Sequence, residues 1–361
     1  MIHWEHKKLY WKNRGWLVLL LFAAVELTIL TLTLNTLARN TQPSLQQGMD
    51  NLYAQFGGEL TEEKAQLIEK RQDEIAQAEK IYNETLGKQL SGEIPFITFQ
   101  NISKKVLPLL QESIAYREFY ANYQYALQDT DHRHLIDTRG WQVLNSGGNL
   151  DLVLIFTCVI LAALACGSDM QKNCAQMIRP TRYGILSLLG GKLLLGAEAG
   201  LLPGLLLQGI YGILTATAYP LPDAPMQSFW MYTDSPLNLS LWQGFWVSGL
   251  IRILGLMLLG ITTVSLVYIW ENVVTGSFLS VAIAILPYFA GNQEMPYLDW
   301  PVLTGMLQGN VYLTGGAESN RTAGSLMLSL MMYLLILGVL VVVSCLKYRG
   351  TYPFGFRRKA R

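Results

Sequence analysis

Charged residues are scarce in this chain. They make up 15% of its 361 residues, whereas a typical soluble domain carries about 25%. Cysteine is also scarce, because the sequence has four, and all of them lie outside the polar stretch at 38–148. The low charge argues against an ordinary cytosolic enzyme, and the cysteine positions exclude a disulfide framework in the polar stretch.

The signatures of several catalytic classes are also missing. Neither HExxH nor GxSxG occurs, so hydrolases of those types have no support. The segment Gly190 to Leu193 resembles part of a phosphate-binding loop, but it lacks the upstream Gly and a Ser or Thr after Lys192. The acidic and histidine residues from Asp129 to His134, with Asp137, lack the spacing of a structural metal site. We therefore expect no enzyme activity, cofactor or metal in this chain, and its net charge of +1 gives no reason to expect nucleic-acid binding.

Long apolar runs dominate the sequence instead. Apolar residues make up 51% of the chain, and they are gathered into blocks of about 20 residues, the length of a helix that crosses a bilayer. The sequence therefore predicts an all-α polytopic membrane protein with six transmembrane helices and an outward helical domain inserted between the first two. The predicted segments are an interfacial helix at 1–14, TM1 at 15–37, the inserted domain at 38–148, TM2 at 149–167, a cytoplasmic loop at 168–191, TM3 at 192–219, an outer loop at 220–249, TM4 at 250–270, TM5 at 273–290, a second outer loop at 291–324, TM6 at 325–346 and a basic tail at 347–361.

The distribution of positive charge predicts the orientation of these spans. Fourteen Lys and Arg residues flank the spans on the side of the two termini, whereas the loops at 220–249 and 291–324 contain only Arg321. Cationic loops stay in the cytoplasm. We therefore expect both termini and the 168–191 loop to be cytoplasmic and the inserted domain to face outward.

The inserted domain is predicted to contain a helical hairpin. Apolar residues recur at close to helical spacing from Thr61 to Leu90 and again from Ile102 to Leu127. The connector around Gly92 is short, which favours an antiparallel pair of helices. The domain also holds 26 of the 53 charged residues, as expected of a segment that faces water.

The cytoplasmic loop at 168–191 is the only one long enough to form a docking element. Residues of its predicted short helix form an apolar edge flanked by positive charge. This helix either docks a partner protein or lies on anionic lipid. The apolar edge consists of Met170, Cys174, Met177 and Thr181, and the flanking cations are Lys172, Arg179 and Arg182.

At this point the sequence resembles the permease subunits of bacterial ABC-2 type transporters that carry an extracytoplasmic domain between spans 1 and 2. The resemblance rests on the basic amphipathic lead-in from Trp4 to Arg14, on the layout of one span before the insert and five after it, and on the loop. Within the loop, the residues that match the family pattern are Asp169, Thr181 to Gly184, and Lys192. Ile185 departs from that pattern, because the family often has Arg there.

The resemblance implies a transport function. The loop would be a coupling helix seated in a separate ATP-binding cassette subunit, which would bind ATP and Mg²⁺. A second permease copy or homologue would complete the pathway, and short re-entrant helices would lie in the 291–324 loop. We expect a multi-pass protein of the bacterial cell membrane, surrounded by lipid, that exports an amphiphile or a peptide. The alternative is a membrane sensor or envelope regulator whose outer domain binds a ligand or protein without transport.

Polar residues in the predicted spans are further site candidates. Glu26 falls near the bilayer midplane, where a charge costs at least about 2.5 kcal/mol. It should therefore face a neighbouring helix or line a substrate or proton path. Glu198 and Arg252 lie nearer the ends of their spans. Glycines at four-residue spacing in TM3 permit close packing within the chain or between copies; they are Gly196, Gly200 and Gly204.

Overall fold

A computed structural model describes residues 2–40, 43–128, 134–146, 150–171, 184–232, 235, 237–291, 302–310, 313 and 323–349. These residues are mostly helical (87%), which confirms the helical class predicted from the sequence. The chain divides into two compact units. The first comprises Met1–Thr31, Val143–Thr217 and Gln243–Arg361, and we call it the apolar unit. The second comprises Leu32–Gln142 and Ala218–Trp242, and we call it the polar unit.

Twelve α-helices and two short strands make up the described part of the chain. The helices are α1 (Ile2–Lys7), α2 (Gly15–Asn40), α3 (Pro43–Phe56), α4 (Glu62–Leu90), α5 (Phe96–Gln128), α6 (Arg139–Ser146), α7 (Leu152–Gln171), α8 (Gly184–Ala218), α9 (Leu241–Trp270), α10 (Val273–Gly291), α11 (Val302–Gln308) and α12 (Ala323–Arg349). A π-helical turn follows α1 at Lys8–Lys12, and 3₁₀ turns occur at Met226–Ser228 and Trp230–Tyr232. The strands β1 (Gly58–Glu59) and β2 (His134–Leu135) pair antiparallel.

Three described helical stretches are long and apolar enough to cross a membrane, namely Gly15–Thr36, Leu188–Ala218 and Leu241–Trp270. Shorter apolar stretches occur at Leu152–Gly167, Val273–Phe289 and Tyr333–Leu346. The helices α8 and α9 begin eight or nine residues before the spans predicted from hydropathy. The reason is that hydropathy marks the part of a helix that suits lipid, whereas the helical hydrogen bonds continue into its interfacial turns.

The core of the apolar unit is formed by side chains from six helices. It includes Phe22, Leu154, Leu207, Leu256, Ala284 and Leu303. Helix-borne hydroxyls add polar contacts, since Thr262 Oγ1 lies 2.6 Å from the Tyr333 hydroxyl and Ser344 Oγ donates to the Ser265 carbonyl at 3.3 Å. Such pairing suits helices in lipid, where water is not present to satisfy a polar group.

The polar unit is built on the α4–α5 hairpin. Thr61 caps α4 by accepting a hydrogen bond from the Lys64 amide, and Gly92 turns the chain between the helices with φ +80°. Across the hairpin, the Tyr116 hydroxyl donates to the Ile68 carbonyl at 2.5 Å and Arg71 pairs with Glu112 at 2.6 Å. The buried side chains of its core come from α3, α4, α5 and β2 and include Met49, Ile68, Phe119, Tyr123 and Leu135.

The segment 218–242 also belongs to the polar unit. Trp141, 1% exposed, donates its indole N–H to the Pro222 carbonyl at 3.0 Å and packs edge-on against Trp242. Gly140 lies against the backbone of this segment, so that a Cβ there would meet the Pro220 carbonyl oxygen at 3.0 Å. The sequence predicts separate segments at 38–148 and 220–249, whereas most of both belongs to one compact unit in the structure.

Candidate functional site

A buried ion pair holds the N-terminal segment, residues 2–14, against α7 and α8. Lys192 Nζ in α8 contacts Glu5 Oε2 at 2.5 Å and donates to the Ala165 carbonyl of α7 at 2.6 Å. Lys192 is 1% exposed and Glu5 is 7% exposed. One ammonium group therefore joins three helices, and charge-assisted hydrogen bonds of this kind are the stronger ones in proteins.

Further polar contacts hold the same segment in place. His6 Nε2 lies 2.8 Å from Glu198 Oε1, and Asn13 donates to the Leu164 carbonyl at 3.0 Å. Burial, reinforced by the nearby Glu198 carboxylate, raises the pKa of Tyr10 above its usual value, so that its hydroxyl stays neutral. Glu198, singled out from the sequence for its position near a span end, thus contacts the N-terminal segment.

The predicted docking residues fall at the connection between α7 and α8. Asp169 and Met170 belong to the last turn of α7, which ends at Gln171. Helix α8 begins at Gly184. The other predicted docking residues, Lys172, Cys174, Met177, Arg179, Thr181 and Arg182, lie outside the described residues. The connection between α7 and α8 thus links in sequence the same two helices that Lys192 joins to the N-terminal segment in space.

Glu26 is 1% exposed and lies in the apolar unit. Its polar neighbours are the Tyr211 hydroxyl, the Asp151 carboxylate and the Arg252 guanidinium. Oε1 of Glu26 has no hydrogen-bond partner among the described residues. Arg252 also donates to the Gln308 carbonyl at 2.9 Å. The structure thus brings together two of the polar residues singled out in the sequence, Glu26 and Arg252, and adds a second carboxylate and a phenol.

The glycines of α8 lie against α9. A Cβ at Gly200 would collide with the carbonyl of Leu256, and one at Gly196 would approach the Gly260 carbonyl oxygen at 2.8 Å. At Gly204 a Cβ would lie 2.8 Å from Cγ1 of Ile253. Gly196 and Gly200 therefore need glycine because the backbones of α8 and α9 approach closely there, whereas Gly204 makes room for the Ile253 side chain.

Arg139 forms the main ion-pair cluster in the described part of the polar unit. Its Nη2 lies 2.5 Å from both Asp137 Oδ2 and Asp50 Oδ1. Burial alone lowers the pKa of Arg139, but hydrogen bonds to the two carboxylates outweigh it and raise the pKa above its usual value. Asp137, weighed as a metal ligand in the sequence, is thus paired with arginine, and the neighbouring residues 129–133 lie outside the described residues.

A cavity of about 380 Å³ opens in the polar unit between β2 and the 218–242 segment. Its polar lining residues are His134, Asp223, Gln227, Asn238 and Ser240. Gln227 is 7% exposed, and its Nε2 donates to the Leu237 carbonyl at 3.1 Å. Gln227 Oε1 and His134 Nδ1 are both buried without a hydrogen-bond partner among the described residues.

Several of these residues were missed from the sequence. Asp151 accepts a hydrogen bond from the Leu154 amide at 2.9 Å and so caps α7, and an Asp just before an apolar run could have indicated that role. Glu5, Tyr211 and Asp223 carry no comparable local signal, because their roles depend on contacts between distant parts of the chain.

Comparison with protein-family models, curated proteins and solved structures finds no match to this chain.

Proposed function

We propose that this chain is a six-span permease subunit of an ATP-driven transporter of the ABC-2 type, and that it exports an amphiphile or a peptide. The three long apolar helices and the three shorter ones support six spans with an outward polar unit. The chain lacks a complete phosphate-binding loop, so ATP and Mg²⁺ would be bound by a separate ATP-binding cassette subunit. A second permease would complete the pathway.

The observation that carries this proposal is the anchoring of the N-terminal segment at the ends of α7 and α8. Lys192 binds Glu5 and the Ala165 carbonyl, and His6 binds Glu198. A subunit docked on the connection between α7 and α8 would contact two helices that the buried Lys192 side chain holds together. A movement of that subunit would therefore displace both helices and the N-terminal segment. This arrangement is suited to passing a nucleotide-driven movement from the cytoplasm into the spans.

Charge reversal in the connection tests the docking role. We expect Arg179→Glu with Arg182→Glu to weaken capture of the ATP-binding subunit by at least about tenfold, because two favourable charge contacts become repulsive. The measurement is co-purification of the two subunits and the ATPase rate of the complex. Lys104→Glu with Lys105→Glu is the matched control, since both lysines are exposed on α5. Unchanged assembly in the Arg179/Arg182 variant contradicts the docking role.

Labelling in intact cells tests the topology. Glu84 is exposed on α4 and Lys7 is exposed on α1. A membrane-impermeant thiol reagent should label Glu84→Cys in intact cells but should label Lys7→Cys only after the membrane is permeabilised. Labelling of the parent protein under the same conditions gives the background from its native cysteines. Labelling of Lys7→Cys in intact cells, with Glu84→Cys protected, would reverse the proposed orientation.

A membrane sensor without transport is the second candidate function. The cavity in the polar unit favours it, because an outer binding site could report a ligand through the same cytoplasmic connection. The two functions predict different neighbouring genes. A Walker-type ATPase encoded beside this chain supports transport, whereas a kinase or response regulator without an ATPase supports sensing.

A further inference from the structure

The cavity of the polar unit has the volume of a small-ligand site. Its volume of about 380 Å³ falls within the range of roughly 300 to 1,000 Å³ that is usual for such sites. Apolar side chains complete the lining around the five polar residues. The site lies wholly within one compact unit, so its shape follows from packing inside that unit.

Two buried polar atoms in the lining side chains lack partners. Gln227 Oε1 can only accept a hydrogen bond, and the amide nitrogen of the same side chain is already used by the Leu237 carbonyl. His134 Nδ1 is also without a partner among the described residues. A buried polar group that lacks a partner is destabilising, and a ligand donor that reached these atoms after a small shift of the lining side chains would relieve that cost.

The charges of the lining residues indicate whether the ligand is a cation or an anion. Asp223 contributes a carboxylate, and no Lys or Arg is among the described lining residues. Asp223 is exposed, and its Oδ1 accepts only a weak hydrogen bond from the Trp242 amide at 3.5 Å. An anion would be repelled by this carboxylate, whereas a protonated amine would supply both the charge and the donors.

We propose that this cavity binds a primary ammonium group carried on a small molecule or at the amino terminus of a peptide. The ammonium pairs with Asp223, its N–H groups reach the acceptors contributed by Asn238 and Ser240, and a small shift of the Gln227 side chain brings its Oε1 within reach. The site requires neither ATP nor a partner subunit. Ligand binding at this site is therefore independent of the proposed transport activity.

Calorimetry on the purified full chain tests the site. The probes are glycinamide, which carries an ammonium and an amide, and tetramethylammonium, which carries the charge without a donor. We expect glycinamide to bind saturably with one site per chain and tetramethylammonium not to compete with it. Asp223→Asn keeps the acceptor for the Trp242 amide and deletes the charge, so it should weaken glycinamide binding by at least about tenfold.

Asp73→Asn is the matched control, because Asp73 is exposed on α4 in the same unit, and it should bind glycinamide like the parent. Triglycine amide and its N-acetyl derivative distinguish the two sources of the amine. Tighter binding of triglycine amide than of glycinamide assigns the site to peptide amino termini, and exclusion of triglycine amide assigns it to small free amines. Absence of saturable glycinamide binding, equal binding by a folded Asp223→Asn protein, or binding of the N-acetyl derivative overturns the proposal.

Discussion

Replacing Lys192 with Met should strongly destabilise the protein. The change keeps a long unbranched side chain but leaves Glu5 as a buried carboxylate without its cation. Breaking a buried ion pair by removing one partner typically costs about 3–5 kcal/mol. We expect a clear fall in the midpoint of thermal unfolding in detergent, together with faster proteolysis of the N-terminal segment, which the pair holds against α7 and α8.

Two further variants separate loss of the ion pair from loss of the lysine side chain alone. Lys7→Met makes the same change at an exposed lysine of α1 and should leave the midpoint unchanged. The double variant Glu5→Gln/Lys192→Met removes both charges, and it should recover much of the lost stability because no unpaired charge stays buried. A double variant that unfolds as readily as Lys192→Met would show that the pair itself does not hold the segment.

Local patterns in the sequence were sufficient to predict much of the helical architecture. Hydropathy depends on neighbouring residues, and the apolar stretches at Gly15–Thr36, Leu188–Ala218 and Leu241–Trp270 fall where spans were predicted. The hairpin was also predictable, since α4 and α5 each keep one apolar face and only a short turn separates them. The glycines of α8 indicated a close helix contact, but their spacing could not identify α9 as the neighbour.

Contacts between distant residues could not be predicted in the same way. Lys192 and Glu5 are 187 positions apart, and nothing in the sequence identified Glu5 as the partner of Lys192. Residues 220–249 lie between two long apolar runs, so they were predicted to be an outer loop, although the 218–242 segment packs on Gly140 and Trp141. The cavity beside it depends on that packing, and so neither Asp223 nor Gln227 could be recognised as a site residue.

Changing Glu26 should impair the proposed ATP-driven cycle without lowering stability. The carboxylate is buried, and its Oε1 lacks a hydrogen-bond partner among the described residues. Arg252 has a separate hydrogen bond to the Gln308 carbonyl, and the Asp151 carboxyl group lies near Glu26. An acidic residue near the bilayer centre costs about 2.5–3.5 kcal/mol on insertion scales. A buried carboxylate that costs this much free energy of insertion, and that has an oxygen without a hydrogen-bond partner, is more readily explained by a role in function than by a role in stability.

The test uses Glu26→Gln, which deletes only the charge, and Glu26→Leu, which deletes both charge and hydrogen bonding. Both variants should unfold in detergent at or above the temperature of the parent, and both should assemble with the proposed ATP-binding subunit. The ATPase rate of each complex should fall by about tenfold, which corresponds to roughly 1.4 kcal/mol on the barrier of the limiting step. Thr28→Leu is the matched control, because Thr28 is an exposed polar residue of the same helix.

The two substitutions also separate the alternative roles of Glu26. If the carboxylate mainly joins α2 to its neighbours, Glu26→Leu should unfold at a lower temperature while Glu26→Gln, which still reaches the Tyr211 hydroxyl, behaves like the parent. If the charge is needed for the pathway, Glu26→Gln should be as stable as the parent yet slow in ATP turnover. A stable Glu26→Leu complex with a normal ATPase rate would show that the proposed cycle does not use this carboxylate. The proposed coupling between the subunits would then depend on the Lys192–Glu5 ion pair and on the connection from α7 to α8.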